Sequence, residues 1–513
     1  MVRKRKNLAI TSAVLLLGAI ALVLVTPSSD PLNSTLIYNA LIVDGSGAPA
    51  YTGSVRIEGT KIRAVGQLRQ RRRDAIMDAG GRVLAPGFID SHSHVDRGLF
   101  MQREALACVS QGITTVITGQ CGGSVFPLRE FFDRLDREPA AINIASLAGH
   151  GTLRNRVMGD DYRRAATGEE IAAMADLLHK EMQAGALGVS SGLEYDPGIY
   201  STTDEVVALA TVAAGYGGRY VSHMRSEDRS LWESVDEIIT IGERASIPVH
   251  ISHMKLAMLS WWGQADRLIK RLDTARANGV EITGDLYPYP YWQSSLTVLF
   301  PDRDFENRDS AAFALNEVTP AEGLLMASYG PDSTCVGKTV AEIAEMRSTD
   351  PVTTLIDLIL DSRREGLSSR EGAESVIGTS MSEEDVRELM QWPQAGICTD
   401  GTLGSGHPRS FGSFPRVLGR YVREYGVLDL EEAVRKMTSQ SASNAGLESR
   451  GLIKPGYYAD LVLFDPDTVL DQATTDDPRL LSNGIEWVCV NGTLVYFGGV
   501  TSGDYPGMVL RRP

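Results

Sequence analysis

A chain of 513 residues, 43% apolar and 22% charged, has a globular composition and the length for roughly two to four domains, or for one large barrel with a companion. Its 65 acidic against 50 basic residues give a net charge of −15, which argues against nucleic acid as a partner, because phosphate binding needs a basic face. Five cysteines without a C-x-x-C pair indicate no disulfide scaffold, and the odd number leaves at least one thiol free or bound to something.

Residues 1–30 read as a separate segment. Arg3, Lys4, Arg5 and Lys6 precede an uncharged run from Leu8 to Val25, long enough to cross a bilayer as a transmembrane helix. The basic flank predicts a membrane anchor with the rest of the chain on the extracytoplasmic side. Leu24-Val25-Thr26-Pro27 is a poor cleavage site, so an uncleaved anchor is preferred to a removed signal peptide. From Leu36, short alternating strands with Gly45, Gly47, Gly53 and Gly59 at the turns predict a small β-domain, and residues 459–464 and 487–496 repeat that character. A β-sandwich built from 31–85 and 446–513 would frame what lies between. There, over 86–445, apolar β-rich segments alternate with helical ones, the pattern of a parallel α/β fold. Eight candidate strands, at 87–92, 113–119, 142–147, 186–191, 218–223, 247–252, 279–285 and 395–400, suggest a closed (β/α)8 TIM-type barrel. Spacers such as Glu169–Ala184, Thr203–Gly215, Ser230–Ala245 and Ala265–Asn278 carry helical periodicity, and an insertion at about 296–350 interrupts the rhythm.

The first strand runs into Asp90-Ser91-His92-Ser93-His94. Two imidazoles two apart on a strand share a face and can grip one metal ion, although the tripeptide alone also fits loop histidines. Other strands close on metal-capable residues as well: Cys121 after the second, His223 after the fifth, His253 after the sixth, Asp400 after the eighth. In such barrels these C-terminal ends form the active face. His250, three positions before His253, is expected to point to the opposite face and to be a core residue. His150, after the third strand, is a candidate substrate contact, His407 a loop-orienting residue and His179 a solvent-side one. Cys121 reads as packing or as a thiolate ligand; its glycine neighbours, which allow close backbone approach, favour the ligand. Cys108, Cys335, Cys398 and Cys489 read as structural, Cys489 in an edge strand.

Taken together, Gly87-Phe-Ile-Asp-Ser-His-Ser-His94, Gly119-Gln-Cys-Gly-Gly123, Ser222-His-Met-Arg225, Ile251-Ser-His-Met-Lys255, Asp285-Leu-Tyr-Pro-Tyr289 and Thr399-Asp-Gly401 resemble the N-acyl-D-amino-acid deacylases, or D-aminoacylases, of the amidohydrolase superfamily. The resemblance runs from Leu36 to Tyr496. It implies zinc: a tight site from Cys121, His223 and His253, and a weaker second site from His92, His94 and Asp400, bridged by the Cys121 thiolate. It also implies that Lys255, Tyr287 and Arg409 take the substrate α-carboxylate, where plain surface charge is the alternative for Lys255 and Arg409. Asp400 is the implied general acid–base, or a plain ligand. Two departures stand out: Gln120 replaces the usual Asn, and Glu194, read here as a loop residue, sits near where isoaspartyl dipeptidase-like relatives carry a bridging glutamate. Arg225 and Glu227 read as a salt bridge holding a loop. The uncharged aromatic run after Tyr287 suggests a neutral or apolar substrate side chain. The implied activity is zinc-dependent hydrolysis of N-acyl-D-amino acids, small-molecule substrates. The rivals are another amidohydrolase, such as a cyclic amidase or an isoaspartyl dipeptidase-like enzyme, and a non-catalytic membrane-tethered barrel.

Overall fold

The computed structural model describes residues 34–364, 367, 373–404 and 406–512. Eight parallel strands form the barrel: Phe88–Asp90, Ile113–Thr118, Asn143–Ser146, Gly188–Gly192, Arg219–His223, Val249–Ile251, Ile282–Leu286 and Ala395–Ile397. They are buried along nearly their whole length, as strands covered on both faces must be, even where serine, threonine and glycine stand among the apolar residues, as in Ile113–Thr118 and Gly188–Gly192. Hydrogen bonds close the ring. Leu187 N donates to Ser146 O at 2.9 Å, joining the third strand to the fourth, and Asp400 N donates to His92 O at 2.9 Å, joining the eighth to the first.

The helices outside this ring form where their periodicity placed them. Gly168–Ala184 starts at a capping box, Thr167 with Glu170, and stops at Gly185 in the left-handed region. Thr203–Gly215, Leu231–Ala245 and Ala265–Ala277 follow the fourth, fifth and sixth strands and bury Val206 and Leu209, Val235 and Ile238, and Leu268 and Leu272.

Both ends of the chain build the small β-domain, whose nine strands join in one hydrogen-bonded sheet that curls back on itself, Ala459 N donating to Thr60 O and Ile62 N to Tyr457 O. A bulge at Asn39, φ 57°, divides the strand Ser34–Ile42. Its first half pairs with Asp74–Asp78 and its second with Val83–Pro86, so one bent strand serves two ladders. Cys489 lies in an interior strand of this sheet, not at an edge. The insertion also runs further than expected. Tyr291–Ser294, Leu324–Tyr329 and Glu374–Thr379 pair as a three-stranded antiparallel sheet, so it extends well past residue 350. The tail then crosses under the barrel, where Leu510 packs with Leu147, Leu187 and Val221.

Residues 1–30, expected as the membrane segment, lie outside the described residues. Among those described, no helix is long and apolar enough to cross a membrane.

Candidate metal centre

At the C-terminal mouth the chain leaves its strands abruptly. Cys121, His253 and Asp400 have φ of 51°, 37° and 46°, a left-handed conformation that costs roughly 1–3 kcal/mol at a non-glycine residue and clusters at functional sites. Gly119 makes the turn to Cys121 possible: its φ is +73°, and a Cβ there would lie 2.1 Å from the Leu147 carbonyl oxygen.

Cys121 Sγ lies 3.3 Å from His92 Nε2 and 3.6 Å from His253 Nε2. His253 Nε2 is 3.1 Å from His223 Nδ1. Asp400 Oδ1 is 3.5 Å from His92 Nε2 and 3.2 Å from His94 Nε2. Ligands around a tetrahedral zinc ion stand about 3.3–3.6 Å apart, given Zn–N and Zn–S bonds of about 2.0 and 2.3 Å, so these donors fit that ion. Burial pushes His92 and His253 down, which leaves both imidazoles neutral with a lone pair to offer. Burial, then Asp400 and Glu227, push the Cys121 thiol up, so a thiolate here requires a cation beside it. Asp400 behaves oppositely. Burial raises its carboxyl, but Arg409, His253, His94 and His92 outweigh burial and hold it well below the usual carboxylate range.

A second tier fixes the ring orientations. His223 Nε2 donates to Glu194 at 2.8 Å, leaving Nδ1 free toward His253. His253 Nδ1 donates to Glu227 at 3.0 Å, and Lys255 Nζ binds both oxygens of the same carboxylate at 2.7 Å. Glu194, in the turn that follows the fourth strand, is therefore a loop residue that belongs to the site. Glu227 does not pair with Arg225, which instead binds Glu237 at 2.8 Å. Asp285 ties the layer beneath, accepting from His253 N at 2.6 Å, Ser91 Oγ at 2.7 Å and His250 Nε2 at 3.0 Å.

His250 thus reaches Asp285 and, with Ser91 and Gln120, lines a small cavity inside the barrel, contrary to its expected place on the outer face. The strand ends at Ile251 and the turn at His253 breaks the alternation on which that expectation rested. His150 is not a substrate contact. It is buried against Glu205, 2.8 Å away, which also binds Arg154. Lys255 and Tyr287 line a narrow lobe of about 40 Å³ beside His253, and Arg409 lines the main cavity of about 690 Å³ with His94, Cys121 and Asp400. The three lie around one ring, with Arg409 4.8 Å and Lys255 5.7 Å from the centre of Tyr287. The Tyr287 hydroxyl is buried without a partner among the described residues, so it can bind a ligand. His407 Nδ1 accepts from the Arg409 backbone N at 2.9 Å, at the start of the helix that carries Arg409.

Imidazoles, a thiol and a carboxylate converging from five strand ends define a metallohydrolase barrel. The chain matches the amidohydrolase family over residues 75–286 and 299–496 and belongs to it. It is 36% identical to an N-acyl-D-glutamate deacylase of Alcaligenes xylosoxydans xylosoxydans and 34% identical to a D-aminoacylase of the same organism, covering 93% of this chain and 96% and 97% of theirs. It superposes at a TM-score of 0.83 and 34% identity on the N-acyl-D-glutamate deacylase of Bordetella bronchiseptica complexed with zinc and a phosphonate inhibitor, over 94% of this chain and all of that one.

Proposed function

We propose that this chain hydrolyses the amide bond of N-acyl-D-amino acids, with zinc as its metal, giving a carboxylate and a free D-amino acid. The observation that carries it is the convergence of Cys121 with His92 and His253, of His94 and Asp400 with His92, and of His223 with His253, in a chain 34–36% identical to D-amino-acid deacylases. Zinc bound there would polarise the amide carbonyl and lower the pKa of a coordinated water toward about 7. Asp400, ionised and facing the donors, takes the proton of the attacking water and returns it to the leaving nitrogen. Arg409 holds the other Asp400 oxygen at 2.8 Å and aims it. Tyr287 and Arg409 receive the α-carboxylate, Arg409 with the fork geometry suited to it.

The side chain enters the narrow lobe, whose walls include Trp292, Val298, Leu299 and Val318. Its one lining cation, Lys255, is bound to Glu227, and Glu194 and Asp228 add further negative charge, so a neutral or apolar side chain fits and an acidic one is repelled. Zinc-loaded protein should hydrolyse N-acetyl-D-methionine and N-acetyl-D-leucine, with the L-isomers inert and N-acetyl-D-glutamate slower by about tenfold, the effect of one unfavourable buried charge contact. Turnover of dihydrouracil or β-aspartyl dipeptides in place of every N-acyl-D-amino acid would overturn the reading.

The basic and apolar composition of residues 1–25 supports export with an uncleaved anchor, the catalytic barrel on the extracytoplasmic side. A reporter fused after Pro513 should be active only outside the cytoplasm; cytoplasmic activity contradicts this placement.

A further inference from the structure

Beyond the main cavity lies a second one of about 440 Å³, lined by Tyr162, Arg163, Tyr200, Arg303, Phe305 and Arg363. Tyr195, Asp196 and Ser295 line both, so the two share a wall. The Tyr195 ring packs on His223 with centroids 4.4 Å apart, which puts this antechamber one aromatic ring from the metal centre. Three guanidinium groups around one hollow are conspicuous in a chain of net charge −15. Arg303 is committed, to Asp196 at 2.8 Å and to the Glu194 carbonyl at 2.7 Å. Neither Arg163 nor Arg363 has a carboxylate within 4 Å among the described residues, although Arg163 bonds the Tyr162 side chain and feels the charge of Asp196, and Arg363 acts on Glu374 from further away. Their aromatic neighbours, the Tyr162 ring 5.6 Å from Arg163 and the Phe305 ring 4.8 Å from Arg363, are the setting in which guanidinium groups stay available to an anion.

We infer that the antechamber is a distal anion subsite for the acyl arm, so that the substrate class extends to N-acyl-D-amino acids whose acyl chain ends in a carboxylate. The inference rests on the deacylase reading above. With the α-carboxylate at Tyr287 and Arg409 and the side chain in the narrow lobe, the acyl arm is the part directed into the wide cavity, and that cavity borders the antechamber. A chain long enough to pass Tyr195 brings its far end to Arg163 and Arg363.

The test compares N-acetyl, N-hexanoyl and N-adipoyl derivatives of one D-amino acid; hexanoyl and adipoyl match in length and differ by a terminal carboxylate. The wild-type protein should prefer adipoyl over hexanoyl by about five- to tenfold in kcat/KM, carried by KM, the value of a partly exposed guanidinium–carboxylate pair. The double variant Arg163→Gln/Arg363→Gln should erase that preference and leave N-acetyl turnover unchanged. Equal use of hexanoyl and adipoyl by the wild type, or an equal fall on all three substrates in the variant, overturns the subsite. So does a loss in the variant confined to N-acetyl-D-glutamate, assayed alongside the three, which would assign the anion to the side-chain arm. N-acetyl turnover by the wild type is the separate check on the deacylase reading, and its absence fails that reading instead.

Discussion

Asp400 is shared by His92, His94 and Arg409, so replacing it separates chemistry from metal binding. Asp400→Asn keeps the shape and leaves Cys121, His223 and His253 intact. It should lower kcat by about 10²–10⁴ with zinc still bound, as measured by metal analysis alongside turnover. An Asn variant of near wild-type rate would reduce Asp400 to a ligand. The carboxylates behind the histidines act differently. Glu194 and Glu227 each hold one ring nitrogen of His223 and His253, and second-tier partners of this kind are worth about 10–100-fold in metal affinity. Glu194→Gln and Glu227→Gln should weaken zinc by that factor in chelator competition. Glu237→Gln, which releases only Arg225, should not.

At the level of the strand and its turn, Gly119 is the most constrained element of the site. Gly119→Ala puts a methyl group against the Leu147 carbonyl at a left-handed φ, and should destabilise the fold by about 2–3 kcal/mol, read from denaturant unfolding. In the insertion, Glu374 accepts Leu296 N from within the small sheet, and burial raises its carboxyl to about 7 despite that bond. Between the ordinary glutamate range and about 7 the folded chain therefore holds a proton that the unfolded chain has lost. Stability is greatest below that window and falls as pH rises through it. Glu374→Gln should flatten that slope in melting experiments across the window; an unaltered slope would show that other groups set it. The eight barrel strands were legible because short β-prone segments alternate with amphipathic helical ones along the chain. Three things were not. The turn at His253 is a backbone conformation with no local signature, and it turns His250 inward. Glu205, 55 positions from His150 in the chain, draws that histidine away from the cavity. The end of the insertion depends on Tyr291–Ser294 pairing with Glu374–Thr379, a contact between distant segments that periodicity does not report.

The donors of the metal centre come from the first, second, fifth, sixth and eighth strands, spanning residues 92 to 400, and no short stretch of unfolded chain holds more than two of them. An ion at this centre therefore ties the ring of strands together and binds only the folded barrel. Zinc at 1,000 times its dissociation constant would add about 4 kcal/mol to stability, enough to raise the melting temperature by several degrees in a chain of this size. Calorimetry on zinc-loaded and chelator-stripped protein should show that gap. Cys121→Ser should largely remove it, because the thiol contacts both His92 and His253. His150→Ala, which breaks a buried cluster away from the mouth, should instead lower both melting temperatures together and leave the gap intact. A stripped protein that melts where the loaded one does would mean that the donors are held by the fold alone, and that the left-handed backbone at Cys121, His253 and Asp400 is not stabilised by zinc.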